Sequence, residues 1–435
     1  MVQFQSRYKC PSCWRSFRLE DILWVAASEE LRGDEYLSEY DFKRFLPRHF
    51  TPGCKAIDEF GSECDQIACP YCHIETPRAY LESKEFMVSI VGSRTSGKTY
   101  FVTSLVHWLK RSLSNFGFYY YEATFANKNR ELEINIEKLF PNITVSQEPV
   151  DLAGTAPQYG VTVKTPKIKT PDQFDEFTYP IPFMYSIKSK ESPDAPNYSV
   201  CIYDHSGEDF RAGEDHPKAP LTQHLGSSDA LFFLFDPTQF PNFIRAYKEK
   251  QGKKFEPDEL VGAERNTLGS SESYQDQPYL IFGEMTRRIK NNYKNKNGQM
   301  LGTIEKYDRP IIIVVSKCDA WMCLLDESVQ KIIAKGYPMP EKDTDGKDIT
   351  GARPLSKKLI KIVSDDIHRL LLEYRPQFIN VVDSFASDVT FIPVSATGCS
   401  PAQDGFLPGT LQPIWIGVPF LFALAKHDAK LVKLV

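Results

Sequence analysis

The sequence predicts an α/β protein in which a doubly wound, mostly parallel sheet carries helices on both faces and follows a small cysteine-rich module. Short apolar runs, typical of strands covered on both faces, alternate with longer segments of helical periodicity. Several of these runs end in polar residues that could carry chemistry. The module is predicted by two Cys-Pro-x-Cys hooks near the N-terminus.

Composition excludes several classes of protein. The 435 residues are 42% hydrophobic and 25% charged, which is an ordinary globular mixture, and the net charge of -5 gives no general attraction to nucleic acid or an anionic membrane. The N-terminus lacks the apolar run of a secretory signal, and the apolar run 415–425 is too short to span a bilayer. We therefore expect a soluble, cytoplasmic protein of two or three domains, with no clear nucleic-acid or membrane partner.

The two hooks are Cys10-Pro-Ser-Cys13 and Cys69-Pro-Tyr-Cys72. Each hook can place two thiolates on one face of a tight turn, and two such turns give a tetrahedral zinc site. Cys-Pro-Tyr-Cys is also the redox motif of glutaredoxins, but that activity needs a thioredoxin-like fold, for which the chain after Cys72 leaves no room. We predict that Zn²⁺ is bound by Cys10, Cys13, Cys69 and Cys72 in a zinc-ribbon-like module that spans residues 1–83.

The interval between the hooks is predicted to contain a helical insertion at residues 34–50, where aromatic and charged residues are mixed. Cys54, Cys64, His49 and His73 are possible alternative or additional ligands. Two further cysteines do not complete a second zinc site, so we interpret all four as ordinary residues.

A glycine-bounded loop follows the apolar run 86–91 and precedes a segment of helical periodicity over residues 100–113. Strand, loop and helix in this order favour a phosphate-binding loop over a chance match to a loose pattern. The glycines let backbone N–H groups surround a phosphate, Lys98 would reach the β- and γ-phosphates, and the Thr99 hydroxyl would hold Mg²⁺. The predicted nucleotide-binding residues here are Gly92, Ser93, Arg94, Thr95, Ser96, Gly97, Lys98, Thr99 and Tyr100.

A second signal, Asp204-His-Ser-Gly207, ends a predicted antiparallel strand pair over residues 183–187 and 198–203. A carboxylate at the tip of a buried strand can reach Mg²⁺ through water. The N–H group of Gly207 can meet a γ-phosphate and move when that phosphate leaves. On its own, an Asp-x-x-Gly pattern is typical of a turn. Downstream of a phosphate-binding loop, it supports a nucleotide site.

Two later apolar runs, 310–315 and 389–394, lead into residues that can read a base. The Asp319 carboxylate can accept hydrogen bonds from N1–H and the exocyclic amine of guanine, whereas adenine would leave it unpaired. The stem of Lys317 could lie along the purine, and the alternative role of Asp319 is to cap a helix. The predicted base-side residues are Ser316, Lys317, Asp319, Ser395, Ala396 and Thr397.

The remaining elements follow from periodicity and composition. Helices are predicted over residues 127–140, 280–293, 356–374 and 419–427, a strand over 230–235, and an extended loop over 145–170. Polar stretches near residues 126–182, 238–275 and 321–355 are predicted insertions in a domain that spans residues 84–435.

The chain thus shows G-x(4)-G-K-T, D-x-x-G, S-K-x-D and S-A-T in order, each at a predicted strand end. With these motifs, residues 84–430 resemble the translation-factor-related (TRAFAC) class of P-loop GTPases. Within that class the chain resembles bacterial double-GTPase type proteins of conflict and surveillance gene clusters, some of which carry zinc-binding hooks. The resemblance implies GTP/GDP and Mg²⁺ as ligands, hydrolysis of GTP, and a switch read by protein partners through its switch loops or zinc module.

The resemblance implies roles for several residues and also shows departures from the pattern. The implied catalytic residues are Lys98, Thr99, Asp204, Gly207 and Glu208. Glu208 stands where many GTPases place a glutamine that orients water, and a carboxylate cannot donate that hydrogen bond, so we expect slow hydrolysis. Ser316 replaces the usual Asn or Thr. Thr165 or Thr170 would cover Mg²⁺, and Thr165 is favoured. This chain contains only one set of GTPase motifs, so the double-GTPase arrangement would need a partner protein.

Two other functions stay open at this stage. One is a non-hydrolysing scaffold or adaptor with a structural nucleotide site and a zinc module that binds a partner; Glu208 and the long insertions allow it. The other is an ATPase, which Asp319 disfavours and the unusual Ser316 allows.

Overall fold

A computed structural model describes residues 6–93, 95–122, 130–141, 161–167, 170–190, 196–204, 210, 223–253, 277–292, 306–340, 352–400, 407 and 411–435. Three predicted site residues, Arg94, Gly207 and Glu208, lie outside these ranges. The predicted domain boundaries stay a prediction.

The N-terminal module consists of short strands joined by turns. Its strands are β1 (Tyr8–Lys9), β2 (Ser16–Phe17), β3 (Leu23–Val25), β4 (Arg44–Phe45), β5 (Ala56–Ile57), β6 (Glu63–Cys64), β7 (Ile67–Ala68) and β8 (Glu75–Thr76). Strands β1–β2 and β5–β6 form two pairs, and β4-β3-β7-β8 form a four-stranded sheet.

The helical insertion predicted for residues 34–50 is wrong, because this segment contains turns and strand β4. The Asp34 carboxylate accepts hydrogen bonds from the backbone N–H groups of Tyr36, Leu37 and Arg44. A side chain that binds nearby backbone donors in this way offers the chain an alternative to helical hydrogen bonds.

The main body is built on a seven-stranded sheet. The later strands of the chain are β9 (Ser83–Gly92), β10 (Phe118–Glu122), β11 (Val161–Lys167), β12 (Thr170–Tyr179), β13 (Phe183–Ser189), β14 (Asn197–Asp204), β15 (Ala230–Phe235), β16 (Ile311–Val315) and β17 (Val389–Pro393). The large sheet has the order β10-β13-β14-β9-β15-β16-β17. Strands β14, β9, β15, β16 and β17 are parallel, and β13 and β10 are the antiparallel additions.

The mostly parallel sheet predicted from the sequence is therefore confirmed, as is the antiparallel pairing of β13 with β14. All residues of β15 and β16 are buried. Because successive side chains of a strand point to opposite faces, the sheet is covered on both faces at its centre.

Nine α-helices lie within the described ranges. They are α1 (Lys98–Ser112), α2 (Arg130–Leu139), α3 (Pro241–Lys250), α4 (Pro278–Asn292), α5 (Cys318–Trp321), α6 (Glu327–Ala334), α7 (Lys357–Tyr374), α8 (Pro376–Phe385) and α9 (Val418–His427). Short 3₁₀ turns occur at Leu19–Asp21, Arg78–Glu82, Leu113–Phe116, Gln223–Gly226, Pro237–Gln239 and Met322–Leu324. The five helices expected from periodicity correspond to α1, α2, α4, α7 and α9, with ends shifted by at most a few residues, as is usual for helix boundaries.

Three polar stretches contain more structure than the composition indicated. Helix α3 lies in the predicted 238–275 insertion, and α6 in the 321–355 insertion buries Val329 and Ile333. The expected loop 145–170 contains β11, which pairs with β12. Helix α8 was missed because Pro376 suggests a helix stop, whereas proline also suits the first turn of a helix.

Candidate nucleotide site and cysteine cluster

Strand β9 occupies the switch point of the sheet, because the chain adds its next parallel strand, β14, on one side of β9 and the following one, β15, on the other side. In open α/β sheets, ligands bind in the crevice at the carboxyl ends of the strands at such a point. The glycine loop, residues 92–97, begins there at Gly92, and its described residues 92–93 and 95–97 lie between β9 and α1. The fold therefore places this predicted phosphate-binding segment at the expected ligand position.

Close packing and backbone conformation explain both glycines of the loop. A Cβ atom on Gly92 would lie 2.7 Å from the carbonyl oxygen of Leu234 in β15. Gly97 has a φ of 87°, in the left-handed region, and directly precedes the first turn of α1. Gly92 thus permits the close approach to β15 and Gly97 permits the left-handed backbone, so the loop can turn tightly from strand to helix.

Polar groups converge inside the glycine loop. The Lys98 ammonium donates to the carbonyl oxygens of Gly92 at 2.7 Å and Ser93 at 2.8 Å. Ser93 and Ser96 are buried, and within the described part of the chain their hydroxyl oxygens have no hydrogen-bond partner. Buried hydroxyls without partners are rare in folded proteins, and together with the start of α1 they fit an anionic group such as phosphate.

The predicted magnesium residues lie at the same edge of the sheet. Asp204 is the last residue of β14, stands opposite Ile90 of β9, and is 2% exposed. Thr99 lies in the first turn of α1 and is half-buried, as is Tyr100. A buried carboxylate and a hydroxyl are oxygen ligands of the kind Mg²⁺ prefers. Thr165 and Thr170 belong to the β11–β12 hairpin, but their side chains lie outside the described structure, so the choice between them stays a prediction.

Ser316 connects the base side to the glycine loop. Its hydroxyl donates to the carbonyl oxygen of Ser96 at 3.0 Å and lies 3.4 Å from that of Phe235. Although serine is shorter than the Asn or Thr of related motifs, it reaches the loop because β15 and β16 are adjacent. The two predicted halves of the site are therefore joined by a direct hydrogen bond.

The two base-side segments also meet each other. The Ser400 hydroxyl lies 3.5 Å from an Asp319 carboxylate oxygen, and the N–H group of Cys318 donates to Val394 at 3.2 Å. The Ser104 hydroxyl of α1 donates to the carbonyl oxygen of Ala396 at 2.8 Å. Asp319 does not occupy the N-cap position of α5, which belongs to Lys317. The half-buried Asp319 carboxylate thus lies beside Ser400, in the segment that follows Ser395, Ala396 and Thr397.

The sequence analysis did not identify Asp236 and Gln239, which also lie at this edge of the sheet. The Lys317 ammonium is paired with the buried Asp236 carboxylate at 2.6 Å, and the Gln239 amide donates to the Thr95 hydroxyl at 3.0 Å. The sequence signal for this loop is Asp236-Pro237, which directly follows the apolar run 230–235.

The four hook cysteines form one buried cluster. All four sulfurs lie within 4.8 Å of one another, with Cys10 and Cys72 at 3.7 Å and Cys13 and Cys69 at 3.7 Å. Four sulfurs placed about 2.3 Å from one zinc ion at tetrahedral corners would be about 3.8 Å apart. This spacing fits a Cys₄ zinc site and is far too long for a disulfide bond.

The two hooks have the same local geometry. The N–H groups of Ser12 and Cys13 point to the Cys10 sulfur at 3.3 and 3.4 Å, and that of Tyr71 points to the Cys69 sulfur at 3.4 Å. Each hook is closed by a residue at φ 57°, Trp14 after the first and His73 after the second. Repeated N–H···S contacts stabilise negative charge on sulfur, as a metal site requires.

Electrostatics favours a cation in the cluster. Burial raises the pKa values of the Cys10 and Cys72 thiols well above their ordinary range, whereas hydrogen bonds from Cys10, Cys69 and Cys72 lower the pKa of Cys13. Several thiolates cannot share one buried volume without a compensating positive charge, and a divalent cation supplies it while displacing the protons.

The other candidate ligands are used elsewhere. Cys54 and His49 are exposed, and Cys64 is buried with its sulfur 3.9 Å from Asp58. His73 Nδ1 lies 2.9 Å from both carboxylate oxygens of Asp34. Among the described residues, the cluster of four is the one group with metal-ligand proximity, which agrees with our interpretation of the remaining cysteines.

The module contacts the main body at a junction formed by Pro11, Trp14, Tyr203 and His224. The Tyr203 hydroxyl donates to the carbonyl oxygen of Pro11, and the Trp14 indole N–H lies 3.4 Å from the same hydroxyl. The rings of Tyr203 and His224 are stacked at 4.7 Å. Because Tyr203 directly precedes Asp204, the first cysteine hook packs against the strand end that carries the predicted magnesium ligand.

Within the described ranges, no helix has the length and apolar character needed to cross a membrane. No protein-family model matches the chain. Over 259 residues the chain is 22% identical to "Putative ESX-1 scaffolding and assembly protein SaeC" of Mycolicibacterium smegmatis; the match covers 53% of this chain and 57% of that protein. The chain therefore spans little more than half the length of this relative.

Solved structures show weak similarity. The GTPase-like domain of Ski7 from S. cerevisiae, bound to GTP, matches with a TM-score of 0.30 and 11% identity over 80% of this chain and 51% of that one. The signal recognition particle receptor SRb-GTP/SRX complex of Chaetomium thermophilum matches with a TM-score of 0.23 and 12% identity over 73% of this chain and 94% of that one.

Proposed function

We propose that the protein is a Mg²⁺-dependent GTP-binding protein that hydrolyses GTP to GDP slowly and acts as a molecular switch. One observation carries this proposal: the Ser316–Ser96 hydrogen bond joins a glycine loop that fits phosphate to the segment that carries Asp319, whose carboxylate fits guanine. Both segments lie at the carboxyl-end edge of a mostly parallel sheet, and the glycine loop lies at its switch point.

The phosphates would be bound by the glycine loop. The Lys98 ammonium, which contacts the carbonyl groups of Gly92 and Ser93, would turn to the β- and γ-phosphates, and the Ser93 and Ser96 hydroxyls would gain polar partners. Thr99 and Asp204 would hold Mg²⁺, which neutralises charge that develops on the phosphates during transfer.

The base would be read by Asp319 with the turn that contains Ser395, Ala396 and Thr397. Asp319 accepts hydrogen bonds and donates none when ionised, so it matches guanine and is left unpaired by adenine. The Lys317 stem, held in place by the ion pair with Asp236, would lie along the purine ring.

Hydrolysis would be in-line attack of water on the γ-phosphate. Glu208 cannot donate the hydrogen bond that orients this water in many GTPases, so the proposed rate without a partner is low. Loss of the γ-phosphate would release two segments, one around Thr165 and one from Asp204 to Glu208. Their movement would change a surface that a protein partner recognises. From the family resemblance alone, we infer a bacterial conflict or defence system as the setting.

The cysteine cluster would hold one structural Zn²⁺. Four sulfur ligands leave no open coordination position for catalysis, so the ion would stabilise the module. Elemental analysis of freshly purified protein is expected to find about one zinc per chain; a protein without zinc would remove this part of the proposal.

A second candidate is a non-hydrolysing scaffold or adaptor. Its support is the similarity to a protein whose name describes scaffolding and assembly. In that case the nucleotide would be bound as a structural ligand, and the zinc module would bind the partner.

Binding of fluorescent GTP and ATP analogues with Mg²⁺ tests these alternatives, with Asp319→Ala and Lys98→Ala as variants. The GTPase proposal expects GTP preference, loss of that preference in Asp319→Ala, and loss of affinity for both nucleotides in Lys98→Ala. Equal binding of GTP and ATP would favour an ATPase. Tight GTP binding without turnover, or no binding of either nucleotide, would favour the adaptor.

A further inference from the structure

We propose that the loop after β15, residues 236–239, is a part of the nucleotide site, with Gln239 as a positioning residue that holds the glycine loop in its binding conformation. This inference rests on the proposed GTP-binding function and assigns a role to residues outside the four motifs.

The location of this loop follows from the strand register. Leu234 of β15 stands directly opposite Gly92 of β9, and parallel strands end at the same edge of the sheet. The chain then turns through the short 3₁₀ segment Pro237–Gln239 beside the glycine loop. Proline restricts the backbone at the start of this turn.

Asp236 anchors the loop and connects it to the base side. Its side chain is fully buried, and one carboxylate oxygen accepts hydrogen bonds from the Thr238 N–H group at 2.8 Å and hydroxyl at 2.6 Å. The other oxygen is 2.6 Å from the Lys317 ammonium. A buried carboxylate is stable only when its oxygens are paired in this way, so the anchor and the lysine keep each other in place.

Gln239 connects the same loop to the phosphate side. Its amide N–H group donates to the Thr95 hydroxyl at 3.0 Å. Thr95 has a φ of 63°, and a left-handed conformation is unfavourable for a β-branched residue. A hydrogen bond to its side chain helps hold this conformation in the glycine loop.

The neighbouring residue keeps Gln239 from moving away. The Phe240 ring is covered by the Arg375 guanidinium at 3.4 Å from the ring centre and stacks on Phe235 at 5.9 Å. With Asp236 anchored before it and Phe240 anchored after it, Gln239 can act as a rigid support. Residues 236–239 thus contact both Lys317 and Thr95, and they couple the base and phosphate halves of the site.

A double-mutant cycle on GTP binding tests this role. Gln239→Ala and Thr95→Val each remove one partner of the hydrogen bond, and each is expected to weaken Mg²⁺·GTP and Mg²⁺·GDP binding about five- to tenfold, the size of one hydrogen bond. The double variant is expected to bind no more weakly than the single variants, because the same contact is lost. The melting temperature without nucleotide is expected to stay within about 2 °C of the wild type, which separates positioning from a general structural role.

Gln330→Ala is the matched control, since its amide donates to the Leu325 carbonyl at 2.8 Å and contacts no proposed site residue in the described structure. Wild-type affinity in Gln239→Ala, or additive losses in the double variant, would overturn the inference while leaving the GTP-binding proposal intact. A wild-type protein that binds no guanine nucleotide would overturn both.

Discussion

The cysteine cluster and the candidate nucleotide site differ in how far their polar groups have found hydrogen-bond partners. In the cluster, backbone N–H groups already point to the Cys10 and Cys69 sulfurs, and the four sulfurs have the spacing of a tetrahedral metal site. At the candidate nucleotide site, the buried hydroxyls of Ser93 and Ser96 have no partner in the described structure, and Lys98 contacts backbone carbonyl groups. The first arrangement suits a permanent structural ion, whereas the second suits a ligand that comes and goes.

The two regions are also in contact. The junction of Pro11, Trp14, Tyr203 and His224 connects the first cysteine hook to the end of β14. Perturbing each region separately therefore shows whether one is only a support for the other.

Removal of the metal is expected to have the largest effect. Cys69→Ser leaves three sulfur ligands, and we expect loss of stoichiometric zinc and unfolding of the module, because structural zinc supplies a large part of the folding free energy of a small domain. Zinc analysis and thermal unfolding measure this. Cys54→Ser is the matched control, since Cys54 is exposed and outside the cluster. Stoichiometric zinc in Cys69→Ser would contradict the assignment.

Gly92→Ala is expected to damage the other region alone. The added Cβ would lie 2.7 Å from the Leu234 carbonyl oxygen, so the glycine loop must shift, and we expect GTP affinity to fall by about a hundredfold while zinc content is unchanged. Fluorescent GTP titration measures the effect. Gly283→Ala is the control, because a Cβ atom there meets open space. Unchanged affinity in Gly92→Ala would show that the loop does not bind phosphate.

Trp14→Ala tests the junction. This half-buried residue contacts Tyr203 and His224, so its truncation is expected to destabilise the protein by about 2 kcal/mol without loss of zinc. Denaturant unfolding followed by two probes, one for each region, measures the effect. Tyr40→Ala is the control, because Tyr40 is 74% exposed. If the module probe and the body probe report separate transitions in the wild type, the two regions are independent.

The smallest expected effect is a pH dependence confined to the module. Burial opposes ionisation of Asp58, but hydrogen bonds from Ser62, Ser28 and Ala27 outweigh it and lower the pKa of Asp58 to about 2. Since its ordinary pKa is about 3.8, its stabilising contribution is fully present above that value and is lost as the pH falls towards 2. Asp58→Asn is expected to flatten the acid limb of the unfolding curve and to leave GTP affinity unchanged. An identical acid limb in the variant would contradict this pKa.

Strands and helices with a clear hydrophobic pattern were predicted correctly, whereas the helix predicted for residues 34–50 was wrong. Strand β15 and helix α7 were predicted almost to the residue, because an unbroken apolar run and a long amphipathic segment each have one stable solution in a layered fold. Residues 34–50 were predicted as a helix, yet the Asp34 carboxylate organises a turn through contacts that composition does not reveal.

The sequence by itself determined the hooks, the glycine loop and the carboxylates at strand ends, because their chemistry depends on spacings of a few residues. Only the tertiary structure decided that Ser316 reaches Ser96 and that Gln239 contacts Thr95 from 144 positions away. These contacts depend on which strands lie side by side, and strand order is set by the packing of the whole sheet, which no local pattern contains.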